Sequence, residues 1–388
     1  VALFADHSVA MVAGEASGDL LASRLLSGLR PLLPTANFHG VGGPHMAQYG
    51  FKSDWPIDRL AVRGLFEVIQ HYREIKGIQT ALKQRLLQQP PSVFIGVDAP
   101  DFNLSLETTL KQAGIPTIHF ISPSIWAWRG GRIKKIAAAV SHMLVVFPFE
   151  AQLYRDAGIP VTYVGHPLAE IIPIVPDVAA ARRQLDLPID ATVVAILPGS
   201  RMSELKHNAV PFIEAAQLLQ KRLPALRILV PMAGAAQTRY FKQLLAAVGL
   251  SEVQLQLVEN NTYAALAAAD AVMVASGTAS LEVALFKKPM VIAYKMMRAS
   301  WEVLRHLAYQ PWIGLPNILA RRFIVPELLQ HAATPHALAE ALWYQLHDDV
   351  NRQHLQVFFT EMHHTLLRNT AQESATAVMS MIADRAGK

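Results

Sequence analysis

"ILPGSRMSELKHN", residues 196–208, is the stretch on which the reading of the fold turns. Apolar residues run from Val193 to Leu197. Pro198, Gly199 and Ser200 then break the run, and the pattern beyond them is helical. A strand that ends in a tight turn and feeds a helix is one half of a βαβ unit. Such a junction points main-chain N–H groups outward, with the positive end of a helix dipole behind them. Arg201 adds a full charge at that point. The segment therefore predicts a parallel sheet with an anion at its carboxyl edge.

The same alternation runs outward in both directions. Short apolar runs predict strands at Ser8–Ala13, Asn37–Val41, Ser92–Val97, Thr117–Ile121, Met143–Val146 and Thr162–Val164. Helical periodicity fills the gaps at Asp19–Leu33, Leu65–Gln88, Leu104–Ala113 and Phe149–Ala157. A second series has strands near Val193–Leu197, Arg227–Pro231, Gln254–Val258, Ala271–Val274 and Met290–Ala293. Its helices fall at Ala209–Arg222, Gln237–Val248, Thr262–Ala268 and Ala279–Phe286. Between the two series, "GHPLAEIIPIVPD" (165–177) holds Pro167, Pro173 and Pro176 and reads as an irregular hinge. From about Pro335 the pattern is helical and strand-free. A chain of 388 residues, 52% apolar, has material for two cores. The expected class is α/β. Two doubly wound, Rossmann-like domains face across a cleft, at 1–168 and 169–345, and a helical tail spans 346–388.

Composition removes several functions. Cysteine is absent, which excludes thiol catalysis, disulfides and Cys-ligated zinc. The net charge of +5 is dispersed, without a Lys/Arg block, so nucleic acid is not an expected partner. No apolar run approaches the ~20 residues of a spanning helix. No leader with a basic start is visible, so a signal peptide is not expected.

Ligands of open α/β sheets bind beyond the carboxyl ends of strands. "MVAGEASGDLL" (11–21) brackets its turn with Gly14 and Gly18 and carries Glu15, Ser17 and Asp19. Carboxylates there repel a pyrophosphate, so this loop suits an uncharged ligand such as sugar hydroxyls, or is simply a tight turn. "FIGVDAPDFNLSLE" (94–107) ends its strand at Asp98, well placed to act as a base on a hydroxyl. Asp101 reads as a cap for a helix beginning near Asn103. "HFISPSIWAWRGGRIKKI" (119–136) sets Ser122, Trp126, Trp128 and Arg129 in a loop after a strand. They line an acceptor or belong to the core. "VMVASGTASLEVALF" (272–286) has the small residues Ser276, Gly277 and Thr278 and no acid in its turn, which lets N–H groups approach phosphate. Glu282, one helical turn on, is either an ordinary helix residue or a ribose-diol acceptor. Together these junctions point to a nucleotide-diphosphate donor held by the second half and a neutral hydroxyl deprotonated by the first. No DxD pair marks a metal site in either half. Neither a metal nor another cofactor is expected, and the leaving phosphate falls to Ser200, Arg201 and helix N-termini.

One further stripe stands apart. Leu65, Phe66, Val68, Ile69, Tyr72 and Ile75 fall at helical spacing among Arg63, His71, Arg73 and Lys76. It packs on its own sheet, or it enters an anionic membrane surface.

The segments "VAGEASGD", "GVDAPDFN", "SPSIWAWR", "LPGSR", "ASGTASLE" and "LPNILA", in that order along the chain, resemble the lipid-A-disaccharide synthases, a family of bacterial glycosyltransferases. The resemblance implies a GT-B architecture and an inverting transfer. The donor it implies is UDP-2,3-diacylglucosamine, and the acceptor is the 6-hydroxyl of 2,3-diacylglucosamine 1-phosphate (lipid X). By the same resemblance Asp98 is the general base, Arg201 neutralises the diphosphate, and Glu282 and Asn317 belong to the donor site. It also implies peripheral attachment to the cytoplasmic face of the inner membrane, and a homodimer that exchanges C-terminal helices. Two rival readings are a UDP-sugar 2-epimerase and a non-catalytic nucleotide-sugar or lipid binding module.

Overall fold

The apolar runs become strands because their side chains have nowhere to go but inward on both faces. A computed structural model of the chain describes residues 7–60, 65–126, 130–249, 255–297, 301–302 and 310–386. Within elements it leaves the side chains of 16, 58, 65–72, 130, 385 and 386 undescribed. The chain divides into two compact units. One comprises the residues up to Glu170 together with those from Leu366 onward, and the other is Ile171–Thr365.

The first unit holds β1 Ser8–Ala13, β2 Asn37–Gly42, β3 Lys52–Pro56, β4 Val93–Val97, β5 Thr117–Phe120, β6 His142–Val145 and β7 Val161–Tyr163. They form one sheet in the order β3-β2-β1-β4-β5-β6-β7, each described pair parallel. The second unit holds β8 Val193–Leu197, β9 Arg227–Met232, β10 Gln256–Glu259, β11 Ala271–Ala275, β12 Met290–Tyr294 and β13 Glu327–Leu329, in the order β10-β9-β8-β11-β12-β13. These pairs are parallel too. The central strands β4, β8 and β11 are buried along their whole length, as expected of parallel strands covered by helices on both faces.

The core of the second unit packs Phe212, Ile213 and Leu219 of the helix Met202–Arg222 against Ile196, Val230 and Met273. In the first unit, Ile78, Leu82 and Leu86 of the helix Leu65–Gln88 pack with Phe94, Leu106 and Leu110. Each such side chain removed from water stabilises by roughly 1.5–3 kcal/mol.

Four departures from the expected elements have plain causes. β3 ("KSDWP") and β13 ("ELL") lie at the sheet edges, where one neighbour suffices and no apolar run is needed. A short helix, Pro167–Ile171, forms inside the expected hinge, because proline is tolerated in a first turn. The helix after β4 starts at Pro100, not near Asn103, so its N-cap is Ala99. Asp101 is then not the cap. It is exposed and accepts a hydrogen bond from Arg132 Nη2 at 2.7 Å. The strand-free tail divides between the units. The helix Asp349–Leu366 goes almost wholly with the second, and the helix Thr370–Ala386 packs on the helix Ala16–Leu32 of the first.

Candidate active site

Strand order places the candidates. In the first sheet the order reverses between β1 and β4, and in the second between β8 and β11. Doubly wound sheets bind ligands at that reversal, beyond the carboxyl ends. Gly14 follows β1 and Asp98 follows β4. Ser200 and Arg201 follow β8, and Ser276–Thr278 follow β11. Sequence-chosen residues therefore stand at both reversals.

In the first unit, β4 and β5 end under strain. Asp98 (φ 52°), Ala99 (φ 44°) and Ile121 (φ 77°) all adopt positive φ without being glycine. Each costs on the order of 1–3 kcal/mol, and such residues cluster at functional sites. The Asp98 main chain is held from two sides. Its N–H donates to Phe120 O at 2.9 Å, and its carbonyl accepts from Asn103 Nδ2 at 2.8 Å. Asp98 itself is half-buried at the strand end.

Its neighbours differ from the expectation in instructive ways. Asp19 is buried and does not face a ligand. Its carboxylate accepts N–H bonds from Gly43, His45 and Met46 at 2.8–3.1 Å, closing the start of the helix Pro44–Ala47. Glu15 is the half-buried N-cap residue of Ala16–Leu32, Ser17 is exposed, and Gly18 is buried in that helix. Ser122 turns into the unit, where its hydroxyl meets Pro123 O and Tyr154 Oη. The Trp126 indole donates to Glu150 Oε1 at 3.0 Å and meets the Phe149 ring edge-on. Burial pushes the Glu150 carboxyl up to about 7, against hydrogen bonds from Phe147 N–H, Trp126 and Ser122. Trp128 and Arg129 lie outside the described residues.

In the second unit, Arg201 is the N-cap residue of Met202–Arg222, and its side chain is 52% exposed. Glu204 reaches back to this turn. Its Oε2 accepts from the N–H groups of Ser200 (3.0 Å) and Arg201 (3.3 Å), and its Oε1 lies 3.4 Å from Arg201 Nη1. This is the return half of a capping box. The two amides expected to face an anion are thus already engaged, while the half-exposed guanidinium meets Glu204 through Nη1 and keeps further N–H donors. The β11 turn differs. Gly277 (φ 138°) precedes the helix Thr278–Leu285, and among the described residues no side chain caps its N-terminus. A side chain at that φ is strained, so glycine both makes the turn and leaves it uncapped.

Glu282, in that helix, accepts from Tyr263 Oη at 3.4 Å, and burial pushes its carboxyl up to about 7. Tyr263 also lines a hollow of about 450 Å³ with Met232, Ala233, Asn260, Asn261 and Thr262, at the carboxyl ends of β9 and β10. Asn317 has no hydrogen-bonding position left over. Its amide donates to Val325 O and Glu327 Oε1, and its oxygen accepts from Ile324 and Val325 N–H. Glu327 in turn accepts from Ile313 and Gly314 N–H. Ser276 Oγ donates to Ile313 O. Asn317 thus ties the helix Leu315–Ala320 to residues 324–327, and Ser276 joins the start of that segment to the β11 turn.

Sequence reading missed Tyr263, Glu204 and Glu150. Glu204 had a usable signal, an acid three residues after the strand–helix turn. The stripe at 65–75 is only partly visible. Leu65, Phe66, Val68, Ile69 and Tyr72 lie outside the described side chains, while Ile75 packs against the first unit's core. Among the described residues no helix is long and apolar enough to cross a membrane.

The family model described as "Lipid-A-disaccharide synthetase" matches residues 9–382. A "Lipid-A-disaccharide synthase" of Paraburkholderia phymatum is 53% identical over 381 residues, covering 98% of this chain and 97% of that protein. Anabaena Alr3699/HepE, solved with UDP-glucose, superposes at a TM-score of 0.56 and 15% identity, over 98% of this chain and 99% of its own. The UDP-GlcNAc 2-epimerase of Neisseria meningitidis, solved with UDP-GlcNAc, gives 0.62 and 12% identity, over 97% of this chain and 100% of its own. At those identities the two structures speak for the fold, which is GT-B.

Proposed function

We infer the reaction from one premise: the chain belongs to the lipid-A-disaccharide synthetase family, and is a glycosyltransferase of lipid A biosynthesis. It transfers 2,3-diacylglucosamine from UDP-2,3-diacylglucosamine to the 6-hydroxyl of 2,3-diacylglucosamine 1-phosphate, giving the β-1′,6 disaccharide 1-phosphate and UDP. The observation that carries the assignment of roles is the placement of Asp98 and Arg201 at the two points of strand-order reversal.

The second unit holds the donor. Uracil enters the hollow beside Tyr263, and the ribose diol donates to Glu282. The diphosphate meets the Arg201 guanidinium and the uncapped turn at Ser276, Gly277 and Thr278. Ser200 and Glu204 shape the Arg201 turn, and Asn317 acts through the loop it ties down.

The first unit presents the acceptor beside Gly14, Glu15, Ser17 and Gly18, with Trp126 at its edge. Asp98 removes the proton of the acceptor hydroxyl as its oxygen forms a bond to the donor anomeric carbon. The bond from that carbon to the diphosphate oxygen breaks, and the electron pair leaves with UDP, where Arg201 offsets the growing charge. Attack opposite the leaving group inverts the carbon.

The substrates carry acyl chains, so the chain works at a lipid surface; Leu65, Phe66, Val68, Ile69 and Tyr72 are its contact with anionic membrane, while Ile75 packs on the core. In this reading it attaches peripherally to the cytoplasmic face of the inner membrane. A homodimer completes the proposal, with the C-terminal helices exchanged. The test is to supply both lipid substrates and follow UDP and disaccharide together. Stoichiometric formation of both supports the reading. UDP-sugar epimerisation without disaccharide, or binding without turnover, would replace it.

A further inference from the structure

Beside Asp98 lies a buried charged pair that the reaction as drawn does not use. His119 in β5 stands opposite Gly96 in β4, two residues before Asp98, and the Asp98 N–H donates to the carbonyl of Phe120, the residue after His119. Glu107, from the helix Pro100–Gln112, places its Oε1 2.7 Å from His119 Nδ1, and both side chains are 0% exposed. Gly96 makes the room. A Cβ there would overlap Glu107 Oε1 and would lie 2.9 Å from the Cβ of Asn103, the residue that donates to the Asp98 carbonyl.

The pair is a poor choice for stability alone. An apolar pair of similar volume would avoid the desolvation of two ionisable groups. Among the described residues, His119 Nε2 and Glu107 Oε2 are buried without a hydrogen-bond partner. Burial opposes a charge on the ring. Glu107 offsets it by charge and hydrogen bond, and the charge of Asp98 adds to that, so the ring ends more basic than an ordinary histidine. The carboxylates nearby are otherwise engaged: Asp19 holds three N–H groups and Asp101 pairs with Arg132. Glu107 from the helix and Asp98 from the end of β4 are the charged groups that act on the ring.

We propose that His119, held by Glu107, is a positioning residue for Asp98: the buried pair, packed behind the strand end beside Gly96 and Asn103, keeps the Asp98 carboxylate in place for the acceptor hydroxyl. This rests on the reading of Asp98 as the base.

The test couples the two groups from both ends. In the full chain labelled with ¹⁵N-histidine, the resonance lost in His119→Asn identifies the ring. Its protonation midpoint should fall in Asp98→Asn, a variant suited to the left-handed turn. Reciprocally, Glu107→Gln should move the acidic limb of kcat/KM to higher pH by roughly half a unit or more, and lower kcat with the donor KM unchanged. An Asp98→Asn protein whose His119 midpoint does not move overturns the proposal, even if the Glu107 variant misfolds. So does an unmoved acidic limb in a folded Glu107→Gln. Full turnover in Asp98→Asn would overturn the base assignment itself, a separate and distinguishable failure.

Discussion

Lowering the pH should weaken donor binding through Glu282. Burial holds this carboxyl at about 7 in the free protein. A vicinal diol donates two hydrogen bonds, and only the ionised carboxylate accepts both without giving up a proton. With a midpoint near 7, the ionised fraction falls from about nine-tenths at pH 8 to about three-hundredths at pH 5.5. Affinity should therefore drop about thirtyfold, or about 2 kcal/mol, across that range. The probe is a UDP-sugar, because its diphosphate is esterified at both ends and does not titrate near neutrality. Calorimetric titration at a series of pH values reads the effect directly. Glu282→Gln should bind more weakly at pH 8, by ~1.5–3 kcal/mol for a charge-assisted bond, and show no slope. A wild-type affinity that is flat from pH 8 to 5.5, or a Gln variant that keeps the slope, refutes the assignment.

Arg201→Ala should weaken UDP binding by ~1.5–3 kcal/mol, because its half-exposed guanidinium meets Glu204 through one nitrogen and keeps N–H donors for a phosphate; unchanged affinity speaks against it. Asn317→Ala should cost ~2–4 kcal/mol in urea unfolding, since it leaves Glu327 and the N–H groups of Ile324 and Val325 short of partners. A loss under ~1 kcal/mol would count against the role of Asn317 as a tie. Glu150 has a folded midpoint raised to about 7 from 4.5. Its contribution is present in full below about pH 4.5 and lost as pH rises through about 7, up to about 3 kcal/mol. Glu150→Gln should remove that part of the pH slope, and equal slopes between pH 5 and 8 would contradict it.

The doubly wound fold was legible because its central strands are buried on both faces and so must be apolar. β4, β8 and β11 could be read from composition alone. β3 and β13 could not, because an edge strand needs no such run. Asp98 and Arg201 were legible for a related reason, as charged residues placed where an apolar run stops. What the chain order hides is which side chains turn back on the protein. Asp19 and Ser122 look like ligand residues in a linear reading, yet one closes a short helix and the other meets Tyr154. His119 shows the reverse case. It sits among apolar neighbours in "TIHF", and its partner Glu107 is twelve residues away on another element. Only folding makes them a pair.

The most direct test of the central claim is turnover and donor affinity measured together in Asp98→Asn. Disaccharide formation should fall by ~10²–10⁴, while UDP-sugar binds as in the parent protein. Disaccharide formed at the parental rate would contradict it.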